Sequence, residues 1–398
     1  MKKNIIKLFN IVGAIVDKIE VDSNVLIFAR SPRVVACCPR CAKVTRKIHS
    51  VKKRLVQHDV FEKKKVILVI KVRRFKCKKC GPFTERNIPG VSRQKYTENF
   101  KNKTILLLKN TNFKEVANQC MVSAPTLVGF LKERKRQRAW PEGELILNID
   151  EHSYRGRDLK ITIGLSSHGE LRDVLKDDRQ TTLRQYLKNI PDEAKQRVSE
   201  ACIDMKNGYI APIKEALPKA KIVVDHFHVI KEMLRQMEEI RKILQDTKTR
   251  GKRINRFLLL KNREDLSVVE KLKLNEIFQQ YANFPTLQNC YWLKEQMRDV
   301  YKCRDLKTAT HKFDILMAVL EDEKFGKMKE MRDTLKRWRP YILNYFHSRT
   351  TNGFIEGCHN KIKLIKRMSY GFRNFTNYVL KITLAFAPFL FLNCHTIF

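Results

Sequence analysis

The spacing of apolar positions changes several times along this chain, and each change marks a part. Residues 1–30 are a short lead-in with alternating apolar positions (VDSNVLIFAR) and read as a hairpin. Residues 46–77 alternate Lys and Arg with β-branched residues, the pattern of a basic strand pair. The period then becomes helical. Residues 97–110 form one helix, and FKEVANQC, a turn at MVS, and APTLVGFLKERKRQR form two short ones. Trp140-Pro141-Glu142-Gly143 is a linker. ELILNID is a strand, DLKITIGLSS and GELRDVLK are two antiparallel strands joined at a His-Gly turn, and TTLRQYLKNIP is a helix. ACIDM, GYIAPIKEAL and AKIVVDHFH read as strand, helix and strand, with Pro218 breaking the helix. Residues 229–345 hold amphipathic helices and no clear strand; their Met and aromatic stripes are core positions.

Three strands, a helix, a strand, a helix and a strand make one sheet, with Asp150 on its first strand beside Asp204 on its fourth. Both acids, and Asp225 on the fifth, are expected where strands stop, at the end of the sheet where α/β proteins place their sites. Glu356 opens a later basic helix, with Asn360 four residues on and so on the same face. Lys361, Lys363, Lys366 and Arg367 follow as a track for a nucleic-acid strand. Three converging carboxylates repel and require a cation, and their oxygens suit Mg²⁺ or Mn²⁺. Two such ions can hold the attacking and leaving oxygens of a phosphodiester displacement. Asp225 competes with Asp204 for the second position, and a metal role for Asp225 or His228 stays open. Glu151 adjoins Asp150 on a strand and is expected to point away from it.

Composition fits this chemistry. The chain has 398 residues, enough for several domains, and 81 Lys and Arg against 42 Asp and Glu leave a net charge of +39. Such an excess points to a polyanion, nucleic acid first. The eleven cysteines and the lack of a clear secretion signal indicate a reducing compartment, a cytoplasmic and nucleoid-associated place. The apolar tail is too short for a membrane span.

Cys38-Pro39-Arg40-Cys41 and Cys77-Lys78-Lys79-Cys80 are two knuckles flanking a β-rich insert, the ligand pattern of a four-cysteine zinc ribbon. Cys37 is an adjacent spare that breaks the two-residue spacing, and His49 is a weaker candidate. The two short helices fit a helix-turn-helix, with Ala117 small in the first and Ser123 capping the second. Ser123, Pro125 and Thr126 would face the major groove of DNA; Lys132, Arg134, Lys135, Arg136 and Arg138 suit its phosphates.

The blocks IDEHSYRG, IDMKNGYIAPIKEALPKAKIVVDHFHVIK and TTNGFIEGCHNKIKLIKRMSYGFRNF resemble the catalytic blocks of insertion-sequence transposases of the ISL-three family. The resemblance extends over nearly the whole chain. It implies a DDE enzyme with a ribonuclease-H-like core, the triad Asp150, Asp204 and Glu356, and an auxiliary acid-x-x-His motif at Asp225 and His228. The expected architecture is multidomain α+β: a zinc-ribbon domain (1–92), a helix-turn-helix (93–140), a ribonuclease-H-like core in two parts (141–230 and 346–398), and an all-helical insertion (231–345). The expected activity is metal-dependent cleavage and joining of double-stranded DNA at the element's inverted repeats, by a homodimer or larger assembly. The competing readings are a non-catalytic DNA-binding regulator derived from a transposase, and a structural zinc protein bound to RNA.

Overall fold

The computed structural model describes residues 11, 14–85, 95–134, 139–247, 254–282, 286–321 and 326–387. The chain forms two compact units, one of residues 1–138 with 362–398 and one of residues 139–361.

The first unit opens with the expected hairpin, β1 (Ile15–Val21) and β2 (Val25–Arg30). A two-stranded ribbon follows, β3 (Ala36–Cys37) with β4 (Val44–Thr45), then the long basic hairpin β5 (Ile48–Phe61) and β6 (Lys64–Cys77). Its turn places both Glu62 and Lys63 at positive φ, 47° and 58°. That is the left-handed pair that matches the twist of a tight hairpin. β7 (Gly81–Thr84) returns along β6, and the sheet order is β1-β2-β6-β5. Ile27, Val56 and Val66 are wholly buried beneath it. Three helices follow: α1 (Glu98–Asn110), α2 (Phe113–Gln119) and α3 (Ala124–Arg134). Thr97 and Asn112 cap the first two through their side chains. Leu108, Val116 and Leu127 pack between the three helices with no exposure.

The second unit carries the predicted sheet. β8 (Leu145–Arg155), β9 (Asp158–Leu165) and β10 (Glu170–Val174) run antiparallel, and the 3-10 turn at Ser166–His168 closes on Gly169 at φ 58°. α4 (Gln180–Lys188) and α5 (Asp192–Arg197) lead to β11 (Val198–Ile203), and α6 (Asn207–Ala216) leads to β12 (Lys221–Val224). β11 lies parallel to both β8 and β12, so the order is β10-β9-β8-β11-β12. The helical stretch follows as α7 (His226–Thr247), α8 (Arg256–Leu260), α9 (Val268–Gln280), α10 (Thr286–Tyr301), α11 (Leu306–Glu321) and α12 (Gly326–Ser348). These helices share one apolar core with the sheet, in which Ile149, Ile203 and Val224 meet Met233, Met237 and Trp338.

Two boundaries differ from the sequence reading. β8 does not stop at Asp150. Its hairpin with β9 keeps pairing to Arg155 and Asp158, so Asp150 is a mid-strand residue on that side. On the β11 side the ladder does end there, its last pair being Ile203 with Ile149. In AKIVVDHFH the strand ends at Val224, and His226, Phe227 and His228 already form the first turn of α7.

α13 (Gly353–Met368) starts in the second unit, and the chain then continues in the first. There α14 (Phe375–Phe386) sets Leu380 and Leu384 into the core of the three short helices. Residues 346–398, expected as a single piece of the core, are thus divided between the two units.

Candidate metal centre of the sheet and the cysteine cluster

Asp150 and Asp204 meet because β8 and β11 are adjacent and parallel and both acids follow the last pair of that ladder. One donor atom from each of Asp150, Asp204 and His228 lies within 4.8 Å of the other two. His228 is held at both ring nitrogens, Nε2 at 2.9 Å from Asp204 Oδ2 and Nδ1 at 3.1 Å from Asp225 Oδ2. Asp225 is 2% exposed and takes its backbone position from its own N–H on Ile203 O (3.1 Å). The order Asp225–His228–Asp204 sets Asp204 at the centre and Asp225 behind the imidazole.

The electrostatics describe a site built for a cation. Burial, and then the Asp204 carboxylate beside it, push the Asp150 carboxyl up to about 8. Burial opposes charge on His228, yet Asp204 and Asp225 outweigh it and raise the imidazole to about 10. Burial would also raise Asp225, but hydrogen bonds with His226 and His228 hold its carboxyl well below the usual range. The imidazolium is the positive charge that the two acids share. The two carboxylates are hard oxygen donors that suit Mg²⁺ or Mn²⁺, and His228, bonded at both ring nitrogens, braces Asp204.

The segment before α13 is fastened to the sheet by polar groups that the pattern reading passed over. Asn148, wholly buried on β8, donates to Thr351 O (3.0 Å) and to Asn352 Oδ1 (3.2 Å), and accepts from Ser166 N–H (3.0 Å). Buried Glu200 on β11 accepts from Ser348 Oγ (2.6 Å) and Thr350 Oγ1 (2.5 Å). Asn352 Nδ2 then donates to Asp204 Oδ1 (3.2 Å). Two turns further, His359 Nδ1 lies 3.5 Å from Asp150 Oδ2, and its Nε2 is 3.0 Å from Thr162 Oγ1. Gly164 makes room for this helix: a Cβ there would lie 2.6 Å from Ile355 Cδ1. The available signals were an Asn inside an apolar strand and a polar run, Ser348 to Asn352, ahead of a helix.

Glu356 sits in the first turn of α13 with an exposed side chain, outside the group of three. It is four residues after Asn352 and three before His359, the spacing of one helix face. Asn360 is exposed one position beyond His359. Glu151, expected to turn away, hydrogen-bonds with Lys206 and Tyr209 and still lines the same cavity as Asp150. That cavity, about 330 Å³, is also bordered by Lys206, Lys231 and Arg235.

In the first unit, Cys38, Cys41, Cys77 and Cys80 bring their sulfurs within 4.8 Å of one another, with Cys41 and Cys77 at 3.6 Å. Each knuckle is shaped by its own backbone. Ala42 N–H donates to Cys38 O (2.9 Å) with Ala42 at φ 56°, and Gly81 follows the second pair at φ 81°. The backbone N–H of Arg40 is the main cause that lowers the Cys38 thiol to about 7. Its hydrogen bond with Cys41, more than burial, pushes Cys80 up to about 12. Four crowded sulfurs of this kind match a tetrahedral Zn²⁺. Cys37 and His49 lie outside the cluster.

The predicted DNA-facing residues divide. Ser123 Oγ lies 2.9 Å from Thr126 Oγ1 and accepts from Thr126 N–H. Lys132 is exposed. Arg134 is instead engaged by Glu98 (2.9 Å) and Asn102 (2.6 Å), so it is not available in the way expected. Lys135, Arg136 and Arg138 lie outside the described residues. Lys361, Lys363 and Arg367 are exposed along α13, whereas burial, with Lys363 nearby, lowers Lys366.

Comparison with known proteins finds relatives over the parts of the chain that hold both clusters. Residues 147–382 match the ISL3-type DDE family described as transposase, and residues 34–80 match the zinc finger of the transposases of IS204, IS1001, IS1096 and IS1165. The chain is 26% identical to the transposase for insertion sequence element IS1001 of Bordetella parapertussis over 375 residues, 90% of this chain and 91% of that one. It is 23% identical to the IS1557 transposase of Mycobacterium tuberculosis over 57% of each. Among the described residues no helix is long and apolar enough to cross a membrane. The family match covers more than half of the chain, and the chain belongs to the ISL3 family of insertion-sequence transposases.

Proposed function

We propose that the sheet of the second unit is a ribonuclease-H-like core in which Asp150, Asp204 and Glu356 hold two Mg²⁺ or Mn²⁺ ions and cut and rejoin DNA. The observation that carries this reading is the helix face on which Asn352 touches Asp204, His359 approaches Asp150, and Glu356 lies between them. A carboxylate at that position, open to solvent, suits a third ligand for cations resting on the two aspartates. Divalent cations held there neutralise the phosphodiester and activate the attacking oxygen, from water or a DNA 3′-hydroxyl. Asp225 fixes the tilt of His228, and His228 fixes one oxygen of Asp204. Lys231 at the cavity suits the backbone of the strand being cut, while Lys206 and Arg235 are held by Glu151 and Glu232.

In the first unit the cysteine cluster is a structural zinc site. α2, the turn after it and α3 act as a helix-turn-helix that binds the element's terminal inverted repeats, with Ser123, Thr126 and Lys132 toward the DNA. Pairing two element ends calls for a homodimer or larger assembly, acting on double-stranded DNA of the nucleoid in the cytoplasm. The test is Mg²⁺-dependent cleavage of a duplex bearing the element's own end, by wild type and by Asp150→Ala, Asp204→Ala and Glu356→Ala. All three variants are expected to lose cleavage while still binding the duplex. A Glu356→Ala protein that cuts like wild type removes Glu356 from the triad.

A further inference from the structure

A groove of about 1380 Å³ in the first unit runs between α2 and α3 on one wall and residues 369–374 on the other. Lys114, Lys132 and Arg373 line it against the single acid Glu115. All three cations are exposed, and none makes an ion pair within the described residues. Such unneutralised positive charge in a groove fits a polyanion.

The far wall is held firmly. α13 ends in two backbone bonds, Gly371 N–H to Lys366 O (2.9 Å) and Tyr370 N–H to Arg367 O (3.0 Å). This pair is the Schellman closure, and it places Tyr370 at the left-handed position where glycine is favoured. Tyr370 has φ 52° and Gly371 φ 84°. Asn112 Nδ2 donates to Met368 O (3.3 Å), Phe372 turns inward onto Tyr378 with ring centroids 5.3 Å apart, and Asn374 caps α14. Tyr370, by contrast, is 94% exposed. A bulky residue thus occupies a site that the backbone would give more cheaply to glycine, and its ring makes no part of the core. Folding gives no reason for tyrosine there; contact with a ligand does.

We propose that residues 369–374 form a second DNA-reading wall opposite α3, with Tyr370 packing on a sugar or base and Arg373 on a phosphate of the same duplex end. The assignment rests on the reading of α2 and α3 as the DNA-binding pair, and extends the binding surface to a segment more than two hundred residues away in the chain.

The test is fluorescence anisotropy of the full-length protein with a labelled duplex carrying the element's end, across a salt series, alongside thermal unfolding. Tyr370→Gly is expected to keep or raise the unfolding temperature and yet bind about tenfold more weakly. Arg373→Ala is expected to weaken binding and reduce the slope of log affinity against log salt by about one. Lys132→Ala on α3 serves as the reference. If Lys132→Ala weakens binding and both loop variants bind like wild type, the loop assignment is overturned while α3 keeps its role. If all three bind like wild type, the α2–α3 reading fails with it. If Tyr370→Gly does not fold, Arg373→Ala decides alone, and an unchanged affinity and salt slope overturn the proposal.

Discussion

The cysteine cluster and the acid cluster bring metal donors together by opposite means. Each pair of cysteines is preset by its own knuckle, through bonds such as Ala42 N–H to Cys38 O. Only the two knuckles must meet, and the β5–β6 hairpin between them arranges that. The acids have no such local frame. Asp150 and Asp204 come together through strand register, and α13 arrives 148 residues after Asp204 through Asn352. The lesson is a division of labour. A site made of local turns gives stability to a small region, whereas a site made by topology holds like charges together at a cost that a bound substrate complex can use.

The largest effect that would break this contrast concerns zinc. Removing it by chelation, or by Cys38→Ser with Cys77→Ser, is expected to unfold residues 34–80, since structural zinc carries roughly 10 kcal/mol of apparent binding energy in small domains. Metal analysis should show the loss of one equivalent, and circular dichroism should show the second unit's helices intact. Unchanged zinc content would equate the two clusters.

The acids should respond in the reverse sense. Asp150→Asn replaces a carboxyl whose ionisation burial and Asp204 both oppose, so metal-free protein should unfold at the same or a higher temperature. Cleavage should fall by about 10³-fold or more, roughly 4 kcal/mol of barrier. Mg²⁺ should raise the unfolding temperature of wild type and leave that of the variant unmoved. A variant that loses stability and activity in parallel would make Asp150 a structural residue.

Smaller effects sharpen the contrast. Asn148→Ala leaves Ser166 N–H and Asn352 Oδ1 without the Asn148 side chain and should cost about 1–3 kcal/mol in denaturant unfolding. Its cleavage rate should drop further than that of a surface variant, because the start of α13 is loosened. In the first unit, buried Lys381 donates to Leu108 O and Thr111 O and is lowered by burial to about 8 from an ordinary 10.5. Between those values the unfolded chain binds the extra proton, so stability should rise with pH from about 8 to about 10.5. Lys381→Met should flatten that rise in pH-resolved thermal melts.

Much of this was legible in the sequence. The knuckle spacing picked out Cys38 over Cys37, and alternation followed by helical spacing placed the five strands and the adjacency of β8 and β11. What periodicity could not carry was polar and tertiary. Asn148, Glu200, Asn352 and His359 fix α13, yet each is one polar letter whose partner lies far along the chain. The length of β8 was hidden because its pairing with β9 outlasts its pairing with β11. Arg134 resembled a phosphate ligand until Glu98 and Asn102 of another helix claimed it. The helix start at His226 was masked by β-branched residues running up to Asp225.

Asn344 of α12 donates to Ile222 O (2.8 Å) on β12, the outermost strand on its side of the sheet. An open strand border is a template on which a second copy can add its own strand. With α12 bonded to it, this border of the sheet is less open to such an added strand.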